Sequence, residues 1–529
     1  MDRDRRVMLG AAAAGVLAHP AWAQRSGTTA RQRTINAMMT DEPAHLNYPL
    51  FNTRIMQEIC GNINESLLQV DWQFKPQPNL ARAFEMSPDG MRYTFHLRPD
   101  VTWHDGMPFT ARDVAFSCGV MLPQLNPRSR GAFSHIREIK AVDRYTVRFE
   151  MKEPFNAFLL SLVASSAPMM PAHIYEGTDF RTNPYNFKPV GTGPFKFNRW
   201  ARGQFIHLTR NESYWRPGQP GMDGIYYRVC PTPEQRLVAM ESGAVDLAMA
   251  DDIDTVVNSR MVANPSIVAR ADAFNGTGEI SVMEMNQRRW PFNDRRFRAA
   301  FMHAIDREFL VKAINFGLGK VAHSPIPSDL PYYDDRAVTK YHHDPARARA
   351  LLDEMGLKPG KGGVRHHFSI MMIPDGGGTW TRGVHYIKQA LSEVGLDVTL
   401  ESTDWPTFSR RSGNWEFDVD CNSYGQYGDP AIGTTRFFLT SNIRKGVPQT
   451  NLQGYSNPEV DTLFAKAAVA VDPAEVQRHY SRLQQVLTHD VAMIWLYERK
   501  PMFFYNKRLK NVIMGPNGPA DGFGAVTLA

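Results

Sequence analysis

The stretch "PYNFKPVGTGPFKFNRW", Pro184 to Trp200, decides the class of fold. Gly191 and Gly193 are either a loop that cradles a phosphate or a tight turn leading into a strand. A phosphate cradle needs successive backbone N–H groups aimed at the anion and a helix N-terminus directly after them. Here Pro194 removes one donor, and Phe195 and Phe197 alternate with polar residues in the period of a strand. The segment reads as a β-turn feeding a strand rather than a phosphate cradle.

Outward from this turn, the first half of the chain continues in strands. In "MRYTFHLR" Tyr93, Phe95 and Leu97 alternate with Arg92, Thr94, His96 and Arg98, and "RYTVRFEM" repeats the pattern with Tyr145, Val147, Phe149 and Met151. "FIHLTR", Phe205–Arg210, is a shorter example. The second half carries helices. Phe297, Ala300, Phe301, Ala304 and Ile305 form an apolar stripe after Asp294. Asp344-Pro345 and Asp472-Pro473 each place an N-cap before a proline at the first helical position, with Gly356 closing the first of these helices and Glu475 suited to a capping box in the second. The apolar run Ala492–Tyr497 predicts a fully buried strand. The chain is therefore a mixed α/β protein with more than one lobe.

The 529 residues, 43% of them apolar, supply ample core for two to four domains. The net charge of +6 is spread along the chain without a basic, aromatic-interleaved run, so nucleic acid is not an expected partner. Residues 1–23 read as a signal peptide: Arg3, Arg5 and Arg6, an apolar run from Val7 to Ala18, then Ala21 and Ala23 around Trp22. Cleavage is expected before Gln24. Arg5-Arg6 followed by Val7-Met8-Leu9 resembles a twin-arginine signal, although Asp4 and Gly10 fall outside its usual form. Cys60, Cys118, Cys230 and Cys421 are too far apart for a zinc site of the usual spacing. Buried thiols and one or two disulfides both fit such spacing.

No catalytic set emerges. "GLKPGKGG" lacks the first glycine and the Ser or Thr of a P-loop, and reads as a solvated loop. His104-Asp105 in "TWHDGMPF" reads as a turn built on Asp105-Gly106 rather than half an acid–base pair. The pairs His342-His343 and His366-His367 lack the spacing of a helical metal site. No nucleophile elbow or H-E-x-x-H helix occurs. "DGGGTWTRG", Asp375 to Gly383, is expected as a mobile loop of the kind that lines ligand sites. No metal or cofactor is expected.

Four motifs in order resemble one family. "FHLRPDVTWHDGMPFTARDVAFS" (Phe95–Ser117), "PVGTGPFKF" with "RGQFIHLTRNESYW", "MNQRRWPFNDRRFRAAFMHAIDRE" (Met285–Glu308) and "GYSNPEVDTLF" (Gly454–Phe464) are similar to segments of the extracellular solute-binding proteins of ABC importers, family 5, the peptide/nickel/opine-binding group. Asp100 stands where the family usually has glycine. The resemblance implies an α/β, two-lobed periplasmic binding fold with an enlarged first lobe, its lobes joined by crossing strands near Glu279–Met285 and Ala492–Arg499. The first lobe is expected over residues 30–280 with 495–529 returning to it, and the second over 281–494. The expected protein is a periplasmic monomer and not an enzyme. It would capture a peptide or peptide-like solute and deliver it to a permease in the inner membrane. An exported hydrolase using Asp105 or Asp429 is the alternative from another class.

The resemblance also implies site residues. Peptide-binding relatives hold the ligand ammonium with an aspartate just before a "G-D-P"-like segment; in "NSYGQYGDPAIGTTRFF" that position is Gln426, neutral here, while Asp429 is the acid that more often shapes the turn. Arg382 stands near the place of a carboxylate-binding arginine. Trp405, Tyr424 and, in the first loop, Asn47 complete the expected set. A neutral Gln426 lacks the charge that holds an ammonium strongly, which points to a longer or blocked peptide, an opine-like conjugate or a sugar derivative rather than a plain dipeptide. Asp429 or Asp375 taking over the ammonium is the competing expectation.

Overall fold

The structure is a computed structural model that describes residues 33–40, 42–50, 53–249, 260–374 and 378–529. The expected signal peptide, its expected cleavage site and Asp375 lie outside the described residues. The first sheet has seven strands in the order Ile267–Arg270, Phe503–Asn506, Leu247–Met249, Thr34–Met39, Gly224–Val229, Phe205–Arg210 and Phe195–Ala201. A second sheet of six runs Gly319–Val321, Ile494–Arg499, Glu279–Met285, Val419–Gly425, His366–Met372 and Leu396–Ser402. A four-stranded antiparallel sheet, Ala81–Met86, Arg92–Leu97, Thr146–Met151 and Ile136–Asp143, enlarges the side of the molecule that holds the first. This is the α/β, two-lobed arrangement expected above.

The alternation in each strand decides which core it feeds. Along Glu279–Met285, Ile280 and Val282 face one core and Met283 and Met285 another, so both faces of the six-stranded sheet are buried. Tyr93, Phe95, Val147 and Phe149 make the core under the four-stranded sheet, as their spacing predicts. Ile494–Arg499 is buried from Ile494 to Tyr497. The helices start where their caps lie: Asp294, Asp344 and Asp472 accept hydrogen bonds from the backbone N–H of Arg296, Arg347 and Ala474. Gly356 follows the end of Pro345–Glu354 with φ +80°. All four cysteines are buried thiols.

One expectation fails. Asp375–Gly383 is not all loop: the helix Thr379–Ser392 begins inside it. Its buried residues Val384, Ile387, Ala390 and Leu391 form a stripe along one face, which carries the helix upstream through Gly383.

The turn at Gly191–Gly193 is structural. The Gly193 N–H donates to Ile63 O at 2.9 Å and the Gly191 N–H to His104 Nδ1 at 3.2 Å, so neither is left for an anion. His104 Nε2 reaches Gly193 O at 3.0 Å, which requires the proton on Nε2. Burial lowers the His104 pKa to about 4 and keeps the ring neutral. A Cβ on Gly191 would sit 1.8 Å from Ile63 O, which excludes any other residue there. Asp105, whose carboxylate accepts from Met107 N, pairs with His173 at 2.7 Å rather than acting with His104.

Candidate functional site

The registers of the two large sheets put their ligand-competent ends together. In the first sheet, Thr34–Met39, Gly224–Val229 and Leu247–Met249 run parallel. Met249, at a carboxyl end, pairs with Phe503, which also pairs with Arg270. In the second, His366–Met372, Leu396–Ser402 and Val419–Gly425 are parallel, and Gly425 pairs with Glu279. The chain passes between these two large sheets through 271–278 and through 500–502. Both crossings join the carboxyl ends of parallel strands, the position at which open α/β sheets bind ligands. Lys500 Nζ donates to Asn275 Oδ1 at 2.9 Å and ties one crossing to the other.

Glu279 is the charged centre of this region. Arg54, on the helix Arg54–Cys60, reaches its Oε2 at 2.9 Å. Arg499 and Ser423 reach its Oε1 at 2.6 and 2.7 Å. Burial would raise this carboxyl, but the charges of Arg499 and Arg54 and the Ser423 hydroxyl outweigh it and hold the pKa at about 2. The Arg54 guanidinium also lies 4.6 Å from the centre of the Phe274 ring. Sequence reading passed over this cluster. Its one signal was an acid at each end of the apolar "EISVME" run.

The expected residues divide. Gln426 is 1% exposed and follows the strand end; its backbone N–H donates to Thr277 O at 2.7 Å on the first crossing. Gly433 packs against it so closely that a Cβ there would lie 2.3 Å from Gln426 Cα. The side-chain Oε1 accepts from Thr434 Oγ1, while Nε2 has no hydrogen-bond partner. Trp405, 46% exposed, opens the helix after Leu396–Ser402, and Arg382 lies in the first turn of the helix after His366–Met372. These three share the carboxyl end of the second sheet. Arg382 contacts Thr379 Oγ1 at 3.4 Å and lies 6.0 Å from the Phe316 ring.

The other three are built into the frame. Tyr424 is buried 4.4 Å from the Phe437 ring, and its hydroxyl accepts from Trp495 Nε1 at 3.1 Å. Asp429 caps the short helix Pro430–Gly433, accepting from Ala431 N at 2.8 Å and Tyr480 Oη at 3.3 Å. Burial raises its pKa to about 6 against those two bonds. Asn47 is fully buried in the loop after Thr34–Met39 and donates to Asn186 Oδ1 at 2.7 Å. Among the described residues, no group of three or more His, Cys, Asp or Glu is placed to hold a metal ion, and no helix is long and apolar enough to cross a membrane.

Comparison with known proteins agrees with this architecture. The glutathione-binding protein GsiB of Pectobacterium atrosepticum is 27% identical over 98% of this chain and 97% of its own length. The Probable D,D-dipeptide-binding periplasmic protein DdpA of Escherichia coli is 26% identical over 89% of this chain and 87% of its own. Among solved structures, the oligopeptide-binding protein AppA from Bacillus subtilis, in complex with a nonapeptide, superposes with a TM-score of 0.79 at 23% identity, covering 94% of this chain and 99% of that one. NikA from Brucella suis, in complex with Fe(III)-EDTA, superposes with a TM-score of 0.81 at 23% identity, covering 94% and 100%. Residues 75–445 match the profile of the bacterial extracellular solute-binding proteins, family 5 Middle. With most of its length inside that match and its relatives aligned nearly end to end, the chain belongs to the family 5 bacterial extracellular solute-binding proteins.

Proposed function

We propose that this protein is the periplasmic solute-capturing component of an ABC importer. It takes a peptide or peptide-like solute between two lobes hinged at 271–278 and 500–502 and hands it to a permease in the inner membrane. The observation that carries this reading is the meeting of both sets of parallel-strand carboxyl ends at the two crossings. A solute held there is covered from both sides when the lobes close, and the crossings absorb the backbone change.

The solute class follows from Gln426. Its Oε1 is taken by Thr434, so the amide offers Nε2–H as a donor. An unpartnered donor suits a carbonyl or carboxylate of the solute, and a neutral amide holds an ammonium more weakly than a carboxylate does. Blocked or longer peptides, opine-like conjugates and sugar derivatives are the favoured solutes. The names of GsiB and DdpA place glutathione and a D,D-dipeptide in the test panel. The test is a thermal-shift screen of protein refolded from denaturant, against free dipeptides, N-blocked peptides, tri- to pentapeptides, glutathione, opines and oligosaccharides. A solute at about 100 times its Kd stabilises the folded state by ~2.7 kcal/mol. Shifts with blocked peptides or non-peptides, and none with free dipeptides, support the reading of Gln426. Strong shifts with ordinary dipeptides overturn it and leave capture between the lobes standing.

A further inference from the structure

Two aromatic side chains cross between the lobes in opposite directions. Phe74 sits at the tip of the hairpin formed by Leu68–Val70 and Pro76–Pro78. Its ring packs against the core of Tyr424, Phe437, Tyr480 and Trp495 on the second sheet. Tyr427, in the loop after Val419–Gly425, packs the other way, against the core beneath the four-stranded sheet. Ala431, Ile432 and Ala468 accompany it there, and Asn156 N donates to Ala468 O at 2.9 Å across the same boundary. The two plugs touch a common point, since a Cβ on Gly428 would lie 3.2 Å from the Phe74 ring.

Both residues also hold a backbone that bulky side chains avoid. Phe74 has φ 60° and Tyr427 φ 56°. The hairpin tip is braced for this by Asp71, whose Oδ1 accepts from Gln73 N and Lys75 N, each at 2.9 Å. The Tyr427 N–H donates to Thr277 O at 3.1 Å on the first crossing. Strain of this kind persists where surrounding contacts over-determine it. Here the backbone contacts come from Asp71 and Thr277, and the ring contacts come from the opposite lobe.

We propose that Phe74 and Tyr427 are positioning residues forming a reciprocal latch: each ring seats in the other lobe's core, favours the closed arrangement, and fixes the peptide unit that joins Tyr427 to Gln426. The inference rests on the reading that the lobes open and close around a solute. Phe74 belongs to no expected ligand set, and its effect on the cleft runs through Gly428, Tyr427 and Gln426.

The test needs no solute. Hydrogen exchange and small-angle scattering are measured on the purified chain, on Phe74→Ala, Phe74→Leu, Tyr427→Ala and Tyr427→Phe, and on the double alanine variant. Circular dichroism checks that each is folded. Phe74→Ala is expected to speed exchange in residues 426–434, on the opposite lobe, by tenfold or more. Tyr427→Ala does the same to residues 70–78, and both enlarge the radius of gyration. The double variant exchanges no faster than the faster single one, because either deletion opens the latch. Tyr427→Phe keeps the ring and Phe74→Leu keeps part of the apolar bulk, so both fall between parent and alanine. Faster exchange confined to the mutated segment, an unchanged radius, or a parent already unprotected at 426–434 overturns the latch. None of these outcomes bears on which solute the screen identifies, so the two readings fail separately.

Discussion

Glu279 and Glu284 lie five residues apart on one strand and titrate in opposite directions. Glu279 has two arginines within 3 Å and is held at about 2. Its contribution to stability is fully present above the ordinary glutamate range and is lost as pH falls through about 2. The shift corresponds to about 3 kcal/mol. Glu279→Gln should therefore lower stability near neutral pH by about that amount in a denaturant titration, and leave two half-buried arginines short of a partner. Glu284 faces Asp420 directly across the sheet, and both are fully buried. Burial first, and then the Asp420 charge, push Glu284 well up and favour its protonated form opposite Asp420. Burial raises Asp420 to about 7, with Ser412 Oγ donating to it at 2.7 Å. A raised acid stabilises the fold below its unfolded pKa and loses that contribution as pH climbs through its folded one. The melting temperature should fall as pH rises from about 4 to about 7, and Asp420→Asn should remove Asp420's share of that fall. A parent and variant with parallel pH profiles would contradict the pair. Gln426→Asp belongs to this scale as well: restoring the charge should raise affinity for free-amine peptides at least tenfold by calorimetry, about the 1.5–3 kcal/mol of a charge-assisted hydrogen bond.

Elements were legible in the sequence where one local rule decides them. Asp344 and Asp472 stand before a proline, and both helices begin there. Asp472→Ala should cost about 1 kcal/mol, read as a lower denaturation midpoint with an unchanged slope. The strands around Tyr93 and Val147 were equally plain, because alternation reports a buried face. What local rules missed is pairing at a distance. Arg54 and Glu279 are separated by 225 positions, and nothing near either residue announces the other. Asn47 illustrates the converse: its Nδ2 ties the loop to Asn186, 139 positions away, and nothing in the loop's sequence announces that bond. Tyr424 and Asp429 likewise stand at motif positions, yet a core and a helix start use their hydroxyl and carboxylate. The start of the helix at Thr379 was masked by three glycines before it, although the buried stripe from Val384 onward was visible.

At the scale of the whole molecule, the sheet registers turn a list of motifs into a device. Parallel strands from two sheets end at two short crossings, and these are tied by Lys500 to Asn275 and by Gln426 to Thr277. Arg54 and Ser423 meet at Glu279, directly after the first crossing. A solute bound there should rigidify both lobes together. The most direct test is hydrogen exchange with and without the solute that gives the largest thermal shift. Exchange should slow in 54–60, 271–285 and 419–434 at once, on both sides of the crossings. Protection confined to one lobe, or lying away from the strand ends, would contradict capture between them.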